Sequence, residues 1–284
     1  TGITMQHSRN TTKTLAALAV ALLANVAQAT EIYSNNPTPG DAFTNAVGDA
    51  SQAIGSTGWY YNNVRNSTVV GINTVNPRSG NGSVSFAAPA GGKADVEFLP
   101  NRSLGAFSAL SSMSYDWYRV GTSGAADHLQ PSLRVLVDRD GDLSTADRGF
   151  LVFERIYNGL ATPEDTWVTD TIGAGTFLWN TKFFANSMPA QTNINASSYA
   201  YDATLAQWQA FMPNGVIMGF SSGVGSGWGS FSGAVDNISW TINGVTTANN
   251  FEVAGSEVPE PASAALLGLG LIGLVAARRR TANR

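Results

Sequence analysis

The chain predicts an all-β fold, an antiparallel β-sandwich of jelly-roll type with one short helix, and three observations carry that prediction. First, short runs rich in Val, Ile, Phe, Tyr, Trp and Thr recur through the middle of the chain, among them STVVGINTV, GSVSFAA, ADVEFL, MSYDWYRV, SLRVLVD, GFLVFERIY, TWVTDTI, GVIMGFSS and GAVDNISWTINGV. Clusters of Gly, Asn, Pro, Asp and Ser separate them, as turns separate strands. Second, several runs alternate: Leu133, Val135 and Val137 face one way and Arg134 the other, the mark of a half-buried strand. Third, helical spacing shows in DATLAQWQAFMP, where Leu205, Trp208 and Phe211 or Met212 recur and Pro213 stops the run. This predicts a short helix plugging one end of the sandwich.

Both ends depart from that pattern. From Met5, Arg9 and Lys13 form a basic region, Leu15 to Ala24 an apolar one, and Ala27 and Ala29 supply small residues at a cleavage site. Residues 1–29 therefore predict a signal helix removed by signal peptidase after Ala29, with Thr1 to Thr4 an over-extended start. At the other end, residues 262–277 are apolar throughout, between Pro259 and Pro261 on one side and Arg278, Arg279 and Arg280 on the other. A helix of roughly 16 residues rises about 24 Å, slightly short of the ~30 Å hydrocarbon core. The flanking prolines and the positive-inside rule nevertheless predict a transmembrane helix with its arginines in the cytoplasm.

Val258-Pro259-Glu260-Pro261, the short apolar helix and the Arg cluster together resemble the PEP-CTERM sorting signal of Gram-negative, exopolysaccharide-making bacteria. The resemblance covers 257–284 and implies recognition of Pro259, Glu260 and Pro261 by an exosortase. It also implies a transient inner-membrane anchor, then delivery to the envelope, outer surface or extracellular matrix. Most of residues 104 to 252, including PSLRVLVDRDGD and GVGSGWGSFSGAVDNISWTINGVTTANNFE, resembles exported proteins of lectin-like sandwich appearance that precede such tails. With no internal repeat and no Pro- or Gly-rich divider, residues 30–256 read as a single exported domain.

From Glu31 to Glu260 the chain carries 10 basic against 20 acidic residues, a net charge of about −10. Such a domain repels nucleic acid and other polyanions and suits cations and neutral sugars. There is no cysteine, hence no disulfide framework and no thiol chemistry.

DRDGDLSTAD is the candidate Ca²⁺ site. Asp138, Asp140 and Asp142 alternate, and Ser144 or Asp147 completes an oxygen shell. The loop departs from an EF-hand, because Gly141 takes the fourth position and Gly149 the twelfth; a β-hairpin turn accounts for the same residues. In sugar-binding jelly rolls a structural Ca²⁺ often ties the first strand to the last, and Glu31 and Asp236 are the acids near those places. The candidate carbohydrate platform is Trp59, Tyr60 and Tyr61, with the amides of Asn62 and Asn63 beside them, together with Trp228 on a glycine-rich loop. Trp117 and Trp240, inside alternating strands, read as core.

Enzyme signatures are sparse. His128 is the only histidine past the signal segment, and neither G-x-S-x-G nor H-E-x-x-H occurs. Gly223, Gly225, Gly227 and Gly229 do not make a nucleotide loop, since Trp228 stands where a glycine is required. Asp95 and Glu97 share one face of a strand, the minimum for glycoside cleavage. The expectation is a non-catalytic exported protein associated with polysaccharide. The alternatives are a structural matrix or adhesion protein without sugar binding, and a glycoside hydrolase-like sandwich enzyme.

Overall fold

The computed structural model describes residues 29–144, 147–181 and 203–255. Ala27, Pro259, Glu260, Pro261, the 262–277 helix and Arg278 to Arg280 lie outside the described residues. Among the described residues no helix is long and apolar enough to cross a membrane. Ala29 directly precedes the first strand.

The strands in chain order are β1 (Thr30–Pro37), β2 (Phe43–Asn45), β3 (Ala50–Ala53), β4 (Trp59–Arg65), β5 (Thr68–Asn73), β6 (Ser83–Ala88), β7 (Lys93–Phe98) and β8 (Gly105–Ala106). They continue with β9 (Leu110–Arg119), β10 (Ser132–Asp138), β11 (Arg148–Phe153), β12 (Trp167–Ile172), β13 (Trp179–Asn180), β14 (Val216–Val224), β15 (Phe231–Ile242) and β16 (Val245–Ala254). They form two sheets. One runs β1-β16-β15-β6-β5-β2 with β9 and β12 on the far side of β15; the other runs β13-β11-β10-β14-β7-β4-β3 with β8 on β14. One pairing departs from the antiparallel expectation: β1 lies parallel to β16, Thr30 opposite Asn249.

The run GAVDNISWTINGV is the end of one strand and the start of the next. Asn243 and Gly244 sit at φ of 52° and 74°, two successive positive values that make a tight hairpin turn between β15 and β16. Along β15 the partner on one side changes. Phe231 to Val235 pair with β6 and Ile238 to Ile242 with β16, while β9 follows the other side through a bulge at Asp236 and Asn237.

Asp236 holds that fork together. Its Oδ1 accepts N–H bonds from Asn237 at 2.8 Å and Phe251 at 2.9 Å, and its Oδ2 one from Ser79 at 3.3 Å. The Glu31–Asp236 metal pairing is therefore corrected: Asp236 is committed to backbone donors, and Glu31, exposed on β1, accepts from the Tyr33 hydroxyl. The first and last strands are joined by their own ladder, and among the described residues these two acids enter no cluster of three metal-capable side chains.

The core lies between the sheets. Trp59, Phe98 and Phe220 from one meet Trp240 and Phe251 from the other; Phe220 stacks on Trp240 with centroids 4.2 Å apart, and Trp59 meets Phe251 edge-on at 5.0 Å. Trp117 and Trp240 are buried as expected. The helix α1 (Leu205–Phe211) begins at a capping box in which Thr204 and Gln207 bond each other's backbone N–H. It buries Leu205 and Trp208, and the Trp208 Nε1 donates to the carbonyl of Leu178 at 2.9 Å.

Candidate functional site

Strand parity decides what the second sheet shows to the outside. Ala94, Val96, Leu133, Val135, Leu151, Phe153, Trp59 and Tyr61 point into the core. Their alternates on β7, β10, β11 and β4 therefore point outward. Direct register then lines up one row across six strands: Tyr60, Glu97, Ser221, Arg134, Val152 and Trp179. At about 4.8 Å per strand the row is about 24 Å long.

The floor of this row is a network of charge. Arg134 Nη1 donates to Asp95 Oδ1 at 2.6 Å, Lys93 Nζ lies 3.2 Å from Asp95 Oδ2, and Arg134 Nε donates to Ser132 Oγ at 2.9 Å. Ser221 Oγ donates to Glu97 Oε1 at 3.0 Å. A bulge in β4 at Asn63, whose φ is 52°, turns two successive amides to the same face. Asn62 then donates to Glu97, and Asn63 to Asp95 at 2.8 Å. Burial pushes the Asp95 carboxyl up, but Arg134 and Lys93 outweigh it and hold the group below its ordinary value. Burial, reinforced by the charge of Asp95, pushes Glu97 up.

Two depressions lie on this face. One, of about 420 Å³, is lined by Lys93, Asp95, Arg134, Glu154, Trp179 and Trp228; the other, of about 530 Å³, by Tyr60, Asn62, Leu99, Pro100 and Asn101. Asn63 lines the first and Asn62 the second, so the two open on either side of the bulge. Trp228 is half-buried and packs edge-on to Phe231 at 5.4 Å.

The aromatic platform expected from the sequence is thus split. Trp59 and Tyr61 are corrected to core residues, 1% and 0% exposed, because β4 is a strand and its odd-numbered aromatics face inward. Trp59 Nε1 donates to Asn249 Oδ1 at 3.3 Å, and the Tyr61 hydroxyl to Asp41 Oδ2 at 2.7 Å. Tyr60 faces outward at 41% exposure, and Trp228 lines the first depression. Sequence reasoning missed Arg134, Lys93 and Trp179 as site residues. The alternation around Arg134 marked it as outward, but its partners lie on other strands.

In the β10–β11 loop, oxygens of Asp138, Asp140 and Asp147 come within 4.8 Å of one another, a donor set suited to a hard cation. Asp142 is not in the group; it accepts from the Ser144 N–H at 3.0 Å and from the Ser144 hydroxyl. Asp138 accepts from the Gly141 N–H at 2.9 Å and from Arg148 Nε at 3.1 Å. Such bonds, from Asp side chains to N–H groups two or three residues on, also brace a loop that holds no ion.

The comparisons with known proteins bear on the chain's far end. Residues 257–280 match the PEP-CTERM protein-sorting motif. The PEP-CTERM motif marks an exported protein that transits a membrane and implies processing by an exosortase. No curated protein matches the chain. Among solved structures, a family 11 carbohydrate-binding module from Clostridium thermocellum, in complex with a β-1,3-1,4-mixed-linked tetrasaccharide, is 14% identical. The alignment covers 73% of this chain and 99% of that one, with a TM-score of 0.36. The ENZbleach xylanase is 10% identical over 76% of this chain and 98% of its own, with a TM-score of 0.34. At such scores these likenesses carry no argument of their own; the β-sandwich rests on the sheets described above.

Proposed function

We propose that this protein is a non-catalytic, exported component of the envelope or matrix of a Gram-negative bacterium, and that it holds polysaccharide on the outward face of its second sheet. The observation that carries the reading is the cross-strand row from Tyr60 to Trp179, with a depression toward each end and hydrogen-bonding groups between. Aromatic faces for sugar rings, flanking fixed polar groups for hydroxyls, are what a glycan site needs.

The Asp95–Glu97 pair supports binding over cleavage. Each carboxylate is almost fully buried and has both oxygens engaged by protein donors, whereas a glycosidase acid and its partner must reach the substrate. On this reading signal peptidase removes residues 1–29, the 262–277 helix holds the chain in the inner membrane, and exosortase acts at Pro259, Glu260 and Pro261. The test is co-sedimentation of the protein with the exopolysaccharide of its own host. Retention in the pellet supports the reading; a folded protein that stays in solution sinks it and leaves a structural matrix role.

A further inference from the structure

We infer that the two depressions form a single groove for an uncharged glycan chain laid across the strands, its rings on Tyr60 at one end and on Trp228 and Trp179 at the other, its hydroxyls on the paired cations Arg134 and Lys93. This rests on the polysaccharide reading above and adds the class and the path of the ligand.

The class follows from how the charges are spent. Arg134 and Lys93 both lie against Asp95, and Glu97 and Glu154 also face Arg134, so the two cations of the groove stand among three acids. A uronate or sulfate chain needs cations left over, preferably a fork of guanidinium donors open to the ligand. Here the surrounding chain from Glu31 to Glu260 carries a net charge of about −10 and repels a polyanion besides. A neutral hydroxyl, in contrast, accepts from an N–H of a cation already paired with a carboxylate, and no new charge has to be neutralised.

The path follows from the bulge. Asn62 and Asn63 turn to the same face and fasten Glu97 and Asp95, which leaves a polar saddle between the two depressions rather than an apolar wall. A chain crossing that saddle spans the row of about 24 Å, whereas a short oligosaccharide fills one end only.

The test uses the full chain in detergent, with mixed-linkage β-glucan and β-1,4-galactan as neutral probes and alginate as the anionic probe. The inference expects binding to a neutral chain that tightens with oligosaccharide length and is unchanged between low salt and roughly 0.5 M, where exposed charges are screened. It expects about a tenfold loss in Tyr60→Ala, an exposed position whose substitution leaves the fold intact, and a comparable loss in Trp228→Ala. Alginate bound in preference, with affinity falling in salt, overturns the inference while the polysaccharide reading stands. Affinity for neutral sugars that stops rising at the shortest oligomer overturns the single groove. A folded protein that binds none of the chains overturns both readings.

Discussion

Arg134 and Asp95 belong to strands that do not pair, yet their side chains meet at 2.6 Å across β14. Asp95 is fully buried, so the guanidinium is what keeps its charge tolerable. Arg134→Met strips that partner and leaves Lys93 at 3.2 Å as the remaining cation. We expect a loss of about 3 kcal/mol in urea unfolding, and a double variant with Asp95→Leu that recovers part of it, because removing both charges removes the uncompensated one.

Gly223, opposite Asp95 on β14, makes room for this contact. A Cβ there would stand 2.2 Å from Asp95 Oδ1 and 2.4 Å from the carbonyl of Ala94. Gly223→Ala should cost about 1 to 3 kcal/mol by overpacking. Adding Asp95→Ala should not rescue it, since the backbone contact remains; thermal unfolding of the two variants decides the matter.

Neighbouring aromatics on β4 should behave oppositely. Trp59→Ala empties the centre of the aromatic core and should cost about 3 to 5 kcal/mol. Tyr60→Ala should change stability by no more than about 0.5 kcal/mol while weakening glycan binding. Parallel unfolding and binding curves would separate the two; a stable Trp59→Ala protein would contradict the inward placement.

Asp236 gives the fold a pH dependence of defined sign. Burial pushes its carboxyl from 3.8 up to about 7. Between those values the folded state holds a proton that the unfolded state has released, so stability falls as pH rises through the window and the loss is complete above about 7. A displacement of that size corresponds to at most about 4 kcal/mol. Glu97, Asp138 and Asp170 are also pushed up by burial and slope the same way. Asp236→Asn keeps an acceptor for the Phe251 N–H and should flatten much of the fall from pH 4 to 7 in a denaturation series.

Export processing has its own signature. Glu260→Ala within the sorting motif should leave an unprocessed, slower-migrating chain in the membrane fraction of the host, read by immunoblot, while the purified domain unfolds at the same temperature.

Local patterns in the sequence made much of the sandwich legible. Alternation at Leu133, Val135 and Val137 marked β10, and Leu205, Trp208 and Pro213 marked α1. The β15–β16 hairpin escaped because Ser-Trp-Thr-Ile continues the alternation up to the turn, although Asn243-Gly244 was a readable signal. Trp59 and Tyr61 were misplaced because three successive aromatics look like a surface, and only strand parity divides them. The charged floor was beyond reach for a different reason. The Arg134–Asp95 contact joins residues 39 apart, and that of Ser221 with Glu97 residues 124 apart, and no spacing in the sequence encodes a cross-strand register.

The parallel ladder between β1 and β16 bears on how the domain would carry mechanical load. Thr30 lies opposite Asn249 and Pro37 opposite Ala254, so β16 is gripped by β15 along its first half and by β1 along its second. Tension applied through residues beyond Gly255 pulls along the axis of β16. The bonds on that strand are then strained together in shear instead of being peeled one after another. A domain built this way resists a drag force at the end that leads into its sorting motif.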